Sequence, residues 1–226
     1  MAGSITNPIQ LCNLVLFQLK QPRIISFNDD SLSAEGCRFY YNQTVESLLS
    51  EYNWDFALER AILRRHYDGD RHKRLDGTWA ETEIDYQNRI AGYNMIGYAH
   101  AYTMPANNLR LVRVYNGDNK LLAYPEQSTF PAYAYEGNLL FTNESAVKIH
   151  YISSDANFSL YSPLFKDLLE AELVVKMSLF FEDSGSRFEA RSARAEMLRR
   201  KAKMLNSQQV MVGFELPNVY AFYRNF

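Results

Sequence analysis

The 226-residue sequence has little cysteine, tryptophan, glycine or proline: two Cys, two Trp, ten Gly and seven Pro. Two thiols, Cys12 and Cys37, are too few for the disulfide framework of a small secreted domain. They read as reduced, partly buried cysteines among apolar neighbours in helical segments. So few Gly and Pro residues exclude collagen-like and low-complexity chains. No uncharged apolar run approaches the roughly 20 residues that a membrane span requires. The opening Met1-Ala2-Gly3-Ser4, followed by polar Thr6-Asn7-Pro8, has no basic n-region of a secretory signal. The expectation is a protein made in the cytoplasm and without a membrane partner. A large excess of either charge is also missing, with 24 Lys and Arg against 26 Asp and Glu. What the chain does have is 47% apolar residues, enough to bury a core. At this length that means one domain, or two small ones sharing a core.

The chemistry-bearing motifs are absent too. There is no Gly-x-Gly-x-x-Gly, no phosphate-binding Gly-Lys-Ser/Thr, no Gly-x-Ser-x-Gly elbow and no His-Glu-x-x-His helix. His66, Asp68, Asp70 and His72 alternate along a polar stretch and could converge on a cation. The EF-hand pattern nevertheless fails, because Trp79 stands at the position of the closing Glu. An exposed polar loop is the better reading, so no metal and no cofactor is expected. Glu81 with Glu83, and Glu170 with Glu172, form carboxylate pairs of a kind that any chain of this length contains. Arg64 and Arg65 with Arg71, Lys73 and Arg74 make a basic patch lacking the regular aromatic interleaving of a base-stacking platform.

Net charge hides one asymmetry. From Arg187 to Lys203 seven cations face two acids, giving that segment +5 and the remainder −7. Arg187, Arg191, Arg194, Arg199 and Arg200 on one basic helix suit a complementary partner surface or a phosphate backbone. A solvated helix face is the plainer alternative.

Asn7-Pro8 opens a helix expected to run to about Lys20, where Gln21-Pro22 stops it. Asn28-Asp29-Asp30-Ser31 leads into a second helix, with Ala34, Cys37, Tyr41, Val45, Leu48 and Tyr52 on one face. Trp54 to Leu63 turns extended, and His66 to about Asn94 reads as a long loop. Tyr98 to Ile152 is β: Val147, Ile149 and Tyr151 alternate with Lys148 and His150. Asn116-Gly117, Tyr124-Pro125, Gly137-Asn138 and Thr142-Asn143 mark its turns. The shifted alternation across Leu109-Arg110-Leu111 and Val112-Arg113-Val114 predicts a bulge.

Ser162-Pro163 then caps a third helix to about Asp183, with Leu164, Leu168, Ala171, Val175 and Leu179 inward and Gly185 closing it. Ser186-Arg187-Phe188-Glu189 has capping-box spacing and starts a fourth, lined by Phe188, Ala195, Leu198, Ala202 and Leu205. This grouping predicts an α+β fold, a four-helix bundle formed by the N- and C-terminal parts with an inserted antiparallel β domain. Its segments are 1–56 and 157–207 for the helical parts, 57–156 for the β domain with a long loop at 66–96, and an extended tail at 208–226. That tail carries Phe214, Leu216, Tyr220, Phe222, Tyr223 and Phe226. So many apolar side chains require burial, against this chain or a partner.

Several of these residues form a recognisable pattern. Asn13-Leu14 and Pro22-Arg23-Ile24-Ile25-Ser26-Phe27 precede Ala34, Cys37 and Tyr41. Tyr52-Asn53-Trp54-Asp55-Phe56-Ala57 and Arg60-Ala61-Ile62-Leu63 follow. Over about residues 8–205 the chain resembles the tailed-phage head-to-tail adaptor family, the tail tubular protein A-like proteins, which also include gene transfer agent adaptors. Residues 97–105 and 109–114 look like the first β hairpin of that family. Residues 138–143 and 149–152 look like its last strands, and 158–165 with the following helix pair like its carboxy-terminal half. The most specific part is Trp54, Phe56 and Ala57 joined to Tyr98, Tyr102 and Pro105. Two departures stand out: Asp55 replaces a usual Asn, and the stretch from 68 to 96 is longer than in the family.

The resemblance implies a non-enzymatic virion protein, a ring usually of twelve copies below the portal that joins capsid to tail. It implies contacts with the portal protein, with a tail nozzle or tail tube protein and possibly with tail fibres. DNA would pass through an axial channel without specific binding. Phe214, Leu216, Tyr220, Phe222, Tyr223 and Phe226 are then the expected portal-binding residues. The alternatives are a virion-associated hydrolase acting on envelope polymer, and a DNA-binding protein using the basic helix 187–203.

Overall fold

The computed structural model describes residues 5–66, 72–73, 79–80, 98, 100–122, 131–181 and 186–211. It is a mixed helix-and-sheet fold, and the chain divides into two compact units: residues 1–57 with 154–226, and residues 58–153. Among the described residues the first unit holds four α-helices and the second holds every strand.

The first helix, α1 (Pro8–Gln18), starts where Asn7 accepts a hydrogen bond from the Gln10 N–H at 2.9 Å. Pro8 has no N–H to leave unsatisfied in the first turn. The helix ends two residues earlier than its periodicity suggests. Lys20 turns left-handed (φ 57°), so Gln21 N–H reaches Leu16 O at 2.9 Å and Lys20 N–H reaches Phe17 O at 3.1 Å. This double closure satisfies the last carbonyls without needing the proline. Asn13 then ties down the following segment, accepting from Ile24 N–H and donating to Ile24 O, both at 2.9 Å.

Ser31 caps α2 (Leu32–Glu51), its hydroxyl oxygen accepting from Ala34 N–H at 3.2 Å. Ala34, Cys37, Tyr41, Val45 and Leu48 are buried as their spacing predicts, with Leu49 and Gly36 beside them. At Gly36 a Cβ would lie 3.1 Å from the Phe180 ring, so glycine allows the close approach of the next long helix.

That helix is α3 (Pro163–Phe180), capped by Ser162, whose hydroxyl oxygen accepts from Phe165 N–H at 3.2 Å. It packs against α1, α2 and α4 (Ser186–Met211). The expected α3 face is rotated. Leu168 and Ala171 are buried, but so are Phe165, Leu169, Leu173, Val174 and Met177, whereas Leu179 is exposed. A helix touched by three others buries more than one stripe, so a single-stripe reading chooses the wrong phase. On α4, Ala195 and Ala202 are buried as expected, Leu205 is exposed, and Asn206 takes the inward position.

In the second unit β1 (Leu58–Ile62) and β6 (Asn108–Asn116) flank β9 (Val147–Ser153) in an antiparallel sheet. A second antiparallel sheet runs in the order β2 (Arg64–Arg65), β5 (His100–Thr103), β8 (Leu139–Thr142), β7 (Tyr133–Glu136). Tyr102, Met104, Val114, Leu140, Val147, Ile149 and Tyr151 form the core of this unit. Gly137, left-handed at φ 59°, closes the β7–β8 hairpin. The expected bulge lies in β6, where register shifts fall between Asn108 and Arg110 and between Leu111 and Arg113.

Two expectations need correction. Residues 97–105 and 109–114 do not form a hairpin: β5 bonds to β2 and β8, and β6 bonds to β9. Local sequence identifies strands, but long-range burial chooses their partners. Within the stretch expected to be loop, β3 (His72–Lys73) pairs with β4 (Trp79–Ala80).

Candidate functional site

Trp54, Phe56 and Ala57 stand at the end of the first helical segment, where a single 3-10 turn (Asp55–Ala57) leads into β1. Trp54 is fully buried, and its indole N–H donates to Leu48 O at 2.7 Å. Its ring meets Phe165 edge-on at 4.9 Å and stacks on Phe56 at 5.9 Å. Phe56 also contacts Phe165 and Tyr161, with centroids 4.9 and 5.1 Å away. Tilted and edge-to-face rings satisfy the aromatic quadrupole, so this cluster locks the two chain segments of the helical unit together. Burial pushes the Tyr161 hydroxyl up to about 12.

The β members of the signature have structural partners as well. Tyr102 is buried in β5 and donates its hydroxyl to Glu144 O at 2.7 Å. Tyr98 donates to Pro131 O at 3.0 Å, and Pro105 O accepts from Asn108 N–H at 3.1 Å in the turn after β5. Tyr102 thus satisfies its hydroxyl while burying its ring, as buried tyrosines must.

The basic helix divides its charges. Arg199 contacts Glu172 at 2.7 Å and Glu51 at 3.7 Å, and Lys203 contacts Glu51 at 3.1 Å. Arg191 donates to Ser178 Oγ at 2.9 Å, and Arg200 pairs with Glu196 on its own helix at 3.0 Å. Arg187 and Arg194 are exposed. Arg199 and Arg191 therefore hold α4 to neighbouring helices, while Arg187 and Arg194 are exposed and Arg200 lies beside Ala193, Met197 and Met204.

The weaker candidates acquire structural roles or fall outside view. Glu170 accepts a hydrogen bond from Gln18. His66 pairs through Nδ1 with Thr103 Oγ1 at 2.9 Å, and Arg65 donates to Ser145 O at 2.9 Å. No metal-ligating cluster occurs among the described residues. Asp68, Asp70, Arg71, Arg74, Glu81, Glu83, Phe214, Leu216, Tyr220, Phe222, Tyr223 and Phe226 lie outside the described residues. Cys12 and Cys37 are free and buried. A hydrogen bond to Cys37, together with burial, holds the Cys12 thiol well above the usual thiol range.

One constellation escapes sequence reading. Register places Arg60 of β1, His150 of β9 and Arg113 of β6 abreast, with Ile62, Lys148 and Tyr115 in the next row on the same face. Tyr115 and His150 are in ring contact at 4.8 Å. Burial, then the Arg60 and Arg113 guanidinium groups, hold the His150 imidazole below its ordinary range. These residues span some 90 positions of the chain and signal nothing until the strands are paired; the only local hint is Lys148 and His150 alternating with the buried set. No protein-family model matches the chain, and no curated protein matches it.

Proposed function

We propose that this chain is a structural virion protein: a head-to-tail adaptor that assembles as a ring beneath the portal, joins capsid to tail and lines the DNA exit channel. In this reading the four helices form a bundle that carries an inserted antiparallel β domain. No catalytic group is assigned. The observation that carries the reading is the junction at Trp54-Asp55-Phe56-Ala57. The most specific element of the family resemblance forms the buried aromatic joint of the helical unit, at the point where the chain passes into the strands. Its second element, Tyr102 with Pro105, sits in and just after β5.

The surface of α4 supports the same reading. Met197 and Met204 are 60% and 55% exposed, seven residues apart on one face with Ala193, Arg200 and Lys201. Exposed apolar side chains bordered by the Glu196–Arg200 pair and Lys201 suit a protein neighbour, and identical copies in head-to-tail contact close a ring. Electron microscopy of a cognate portal with and without the purified protein tests the proposal. An added ring on the portal vertex is the expected result, and a portal left bare at saturating protein overturns it. Deleting residues 214–226 is expected to leave the helices folded and weaken portal attachment. Unchanged attachment would remove the tail from the interface.

A further inference from the structure

The outer face of the β1-β9-β6 sheet shows features that the adaptor reading does not use. Its inner face, with Ala61, Val114, Val147, Ile149 and Tyr151, belongs to the core. Its outer face carries Arg60, Lys148 and Arg113 with His150 and Tyr115 between them. Glu59, next to Arg60 in sequence, points the other way and accepts the Tyr151 hydroxyl at 2.7 Å, and Asp118 stands in the turn between Gly117 and Asn119. Among the described residues no carboxylate pairs with Arg60 or Lys148. Lys148 donates to Gly117 O at 2.8 Å and Asn119 Oδ1 at 2.7 Å, two neutral acceptors that fix the ammonium without cancelling its charge. One of its three N–H bonds remains for a ligand. Arg60, Tyr115, Lys148 and His150 line an open cleft together with Ile62, which is 74% exposed.

From this arrangement we infer that the outer face of the three-stranded sheet binds single-stranded nucleic acid, with Arg60 and Lys148 on the phosphodiester backbone and the Tyr115–His150 ring pair stacking on a base. Cations set at strand spacing attract a polyanion, and Arg60 and Lys148 are diagonal neighbours on adjacent strands, about 7–8 Å apart at the backbone. The rings decide between polyanions. Half-exposed aromatic faces add affinity only for bases that are unstacked and accessible, which a duplex does not offer. Because Tyr115 and His150 hold one another, little side-chain entropy is lost on stacking.

Fluorescence anisotropy of labelled oligo-dT with the full chain, across a salt series, tests this inference. Binding is expected at low salt and stronger than to a duplex of equal length. Arg60→Gln with Lys148→Gln is expected to weaken oligo-dT about tenfold and to flatten the salt dependence by about 0.7 in log–log slope per cation removed. Tyr115→Leu is expected to weaken it about tenfold at unchanged salt slope. Arg60→Gln alone changes an exposed side chain, so its effect is readable even if Lys148→Gln disturbs the 117–119 turn. Unchanged binding in the Arg60→Gln and Tyr115→Leu variants overturns the inference. So does equal or tighter duplex binding, loss of binding through Arg187→Gln and Arg194→Gln instead, or capture by anionic-lipid vesicles without oligo-dT binding. Portal attachment is measured separately, so failure here leaves the adaptor proposal standing.

Discussion

The helical unit and the strand unit dispose of their charges in opposite ways. On α4 the cations are dense in sequence, yet Arg199 and Lys203 converge on Glu51 and Glu172, and Arg191 reaches Ser178. In the strand unit the cations are scattered at 60, 113 and 148, yet pairing brings them to one sheet face, and among the described residues no carboxylate pairs with Arg60 or Lys148. A charge run is thus a poor guide to free charge, because a helix packed beside acidic neighbours finds ionic partners there. A sheet face accumulates charge silently, since only register reveals it. The units also differ in what holds them: an aromatic joint in one, two sheets sharing an aliphatic and tyrosine core in the other.

The strongest way to break this contrast is Trp54→Ala. Removing the fully buried indole is expected to cost about 3–5 kcal/mol, read as a shift in denaturant unfolding. Hydrogen exchange should show the loss in α2 and α3, with β8 and β9 still protected. Equal loss in both sets would mean that the two units unfold as one. A sharper probe of the helical charges is Glu172→Gln. Arg199 would keep an amide oxygen as acceptor but lose the charge of its 2.7 Å partner, at an expected cost of about 1 kcal/mol, kept small because the guanidinium is 30% exposed and Glu51 remains. If stability did not change, the Arg199–Glu172 pair would contribute nothing to holding α4 in place.

The smallest expected effect distinguishes the units by pH. All four histidines lie between residues 58 and 153. Burial, then Arg65, holds His100 below its ordinary range; burial, then Arg60 and Arg113, does the same to His150. A depressed histidine leaves stability intact above the unfolded pKa and removes it as pH falls through the folded one. Acidification below neutrality is therefore expected to loosen the strand unit slightly. Asp55, raised by burial, acts with the opposite sign in the helical unit, its contribution growing as pH falls. Amide exchange at two pH values reads both, and His100→Gln with His150→Gln should flatten the strand response. A helical unit that weakened first on mild acidification would contradict the assignment.

Legibility in the sequence followed the range of each interaction. Asn7-Pro8, Ser31 and Ser162-Pro163 announce helix starts because a cap bonds within three residues. The bulge in β6 shows as a slip in alternation for the same reason. Asn206 was unreadable: its amide donates to Asn53 O at 2.8 Å and accepts from Asp55 N–H at 3.3 Å, partners some 150 residues away. A polar residue in a helix looks solvated until such a partner is known, and Leu205 beside it looks like the better core residue. Strand partners were lost likewise, since β5 and β6 are consecutive in the chain but belong to different sheets. The outer-face cluster needed both the pairing and the bulge, which sets the parity of Arg113 and Tyr115.

Leu58 opposes Ile152 in the register of β1 and β9. The strand unit thus leaves and rejoins the polypeptide at a single rung, with both ends about 5 Å apart. Such geometry permits excision: a short bridge from Ala57 to Ser154 would close the remaining chain with negligible loop entropy, and the freed segment could be circularised. Evolution can exchange or enlarge a cassette attached this way without redesigning its host.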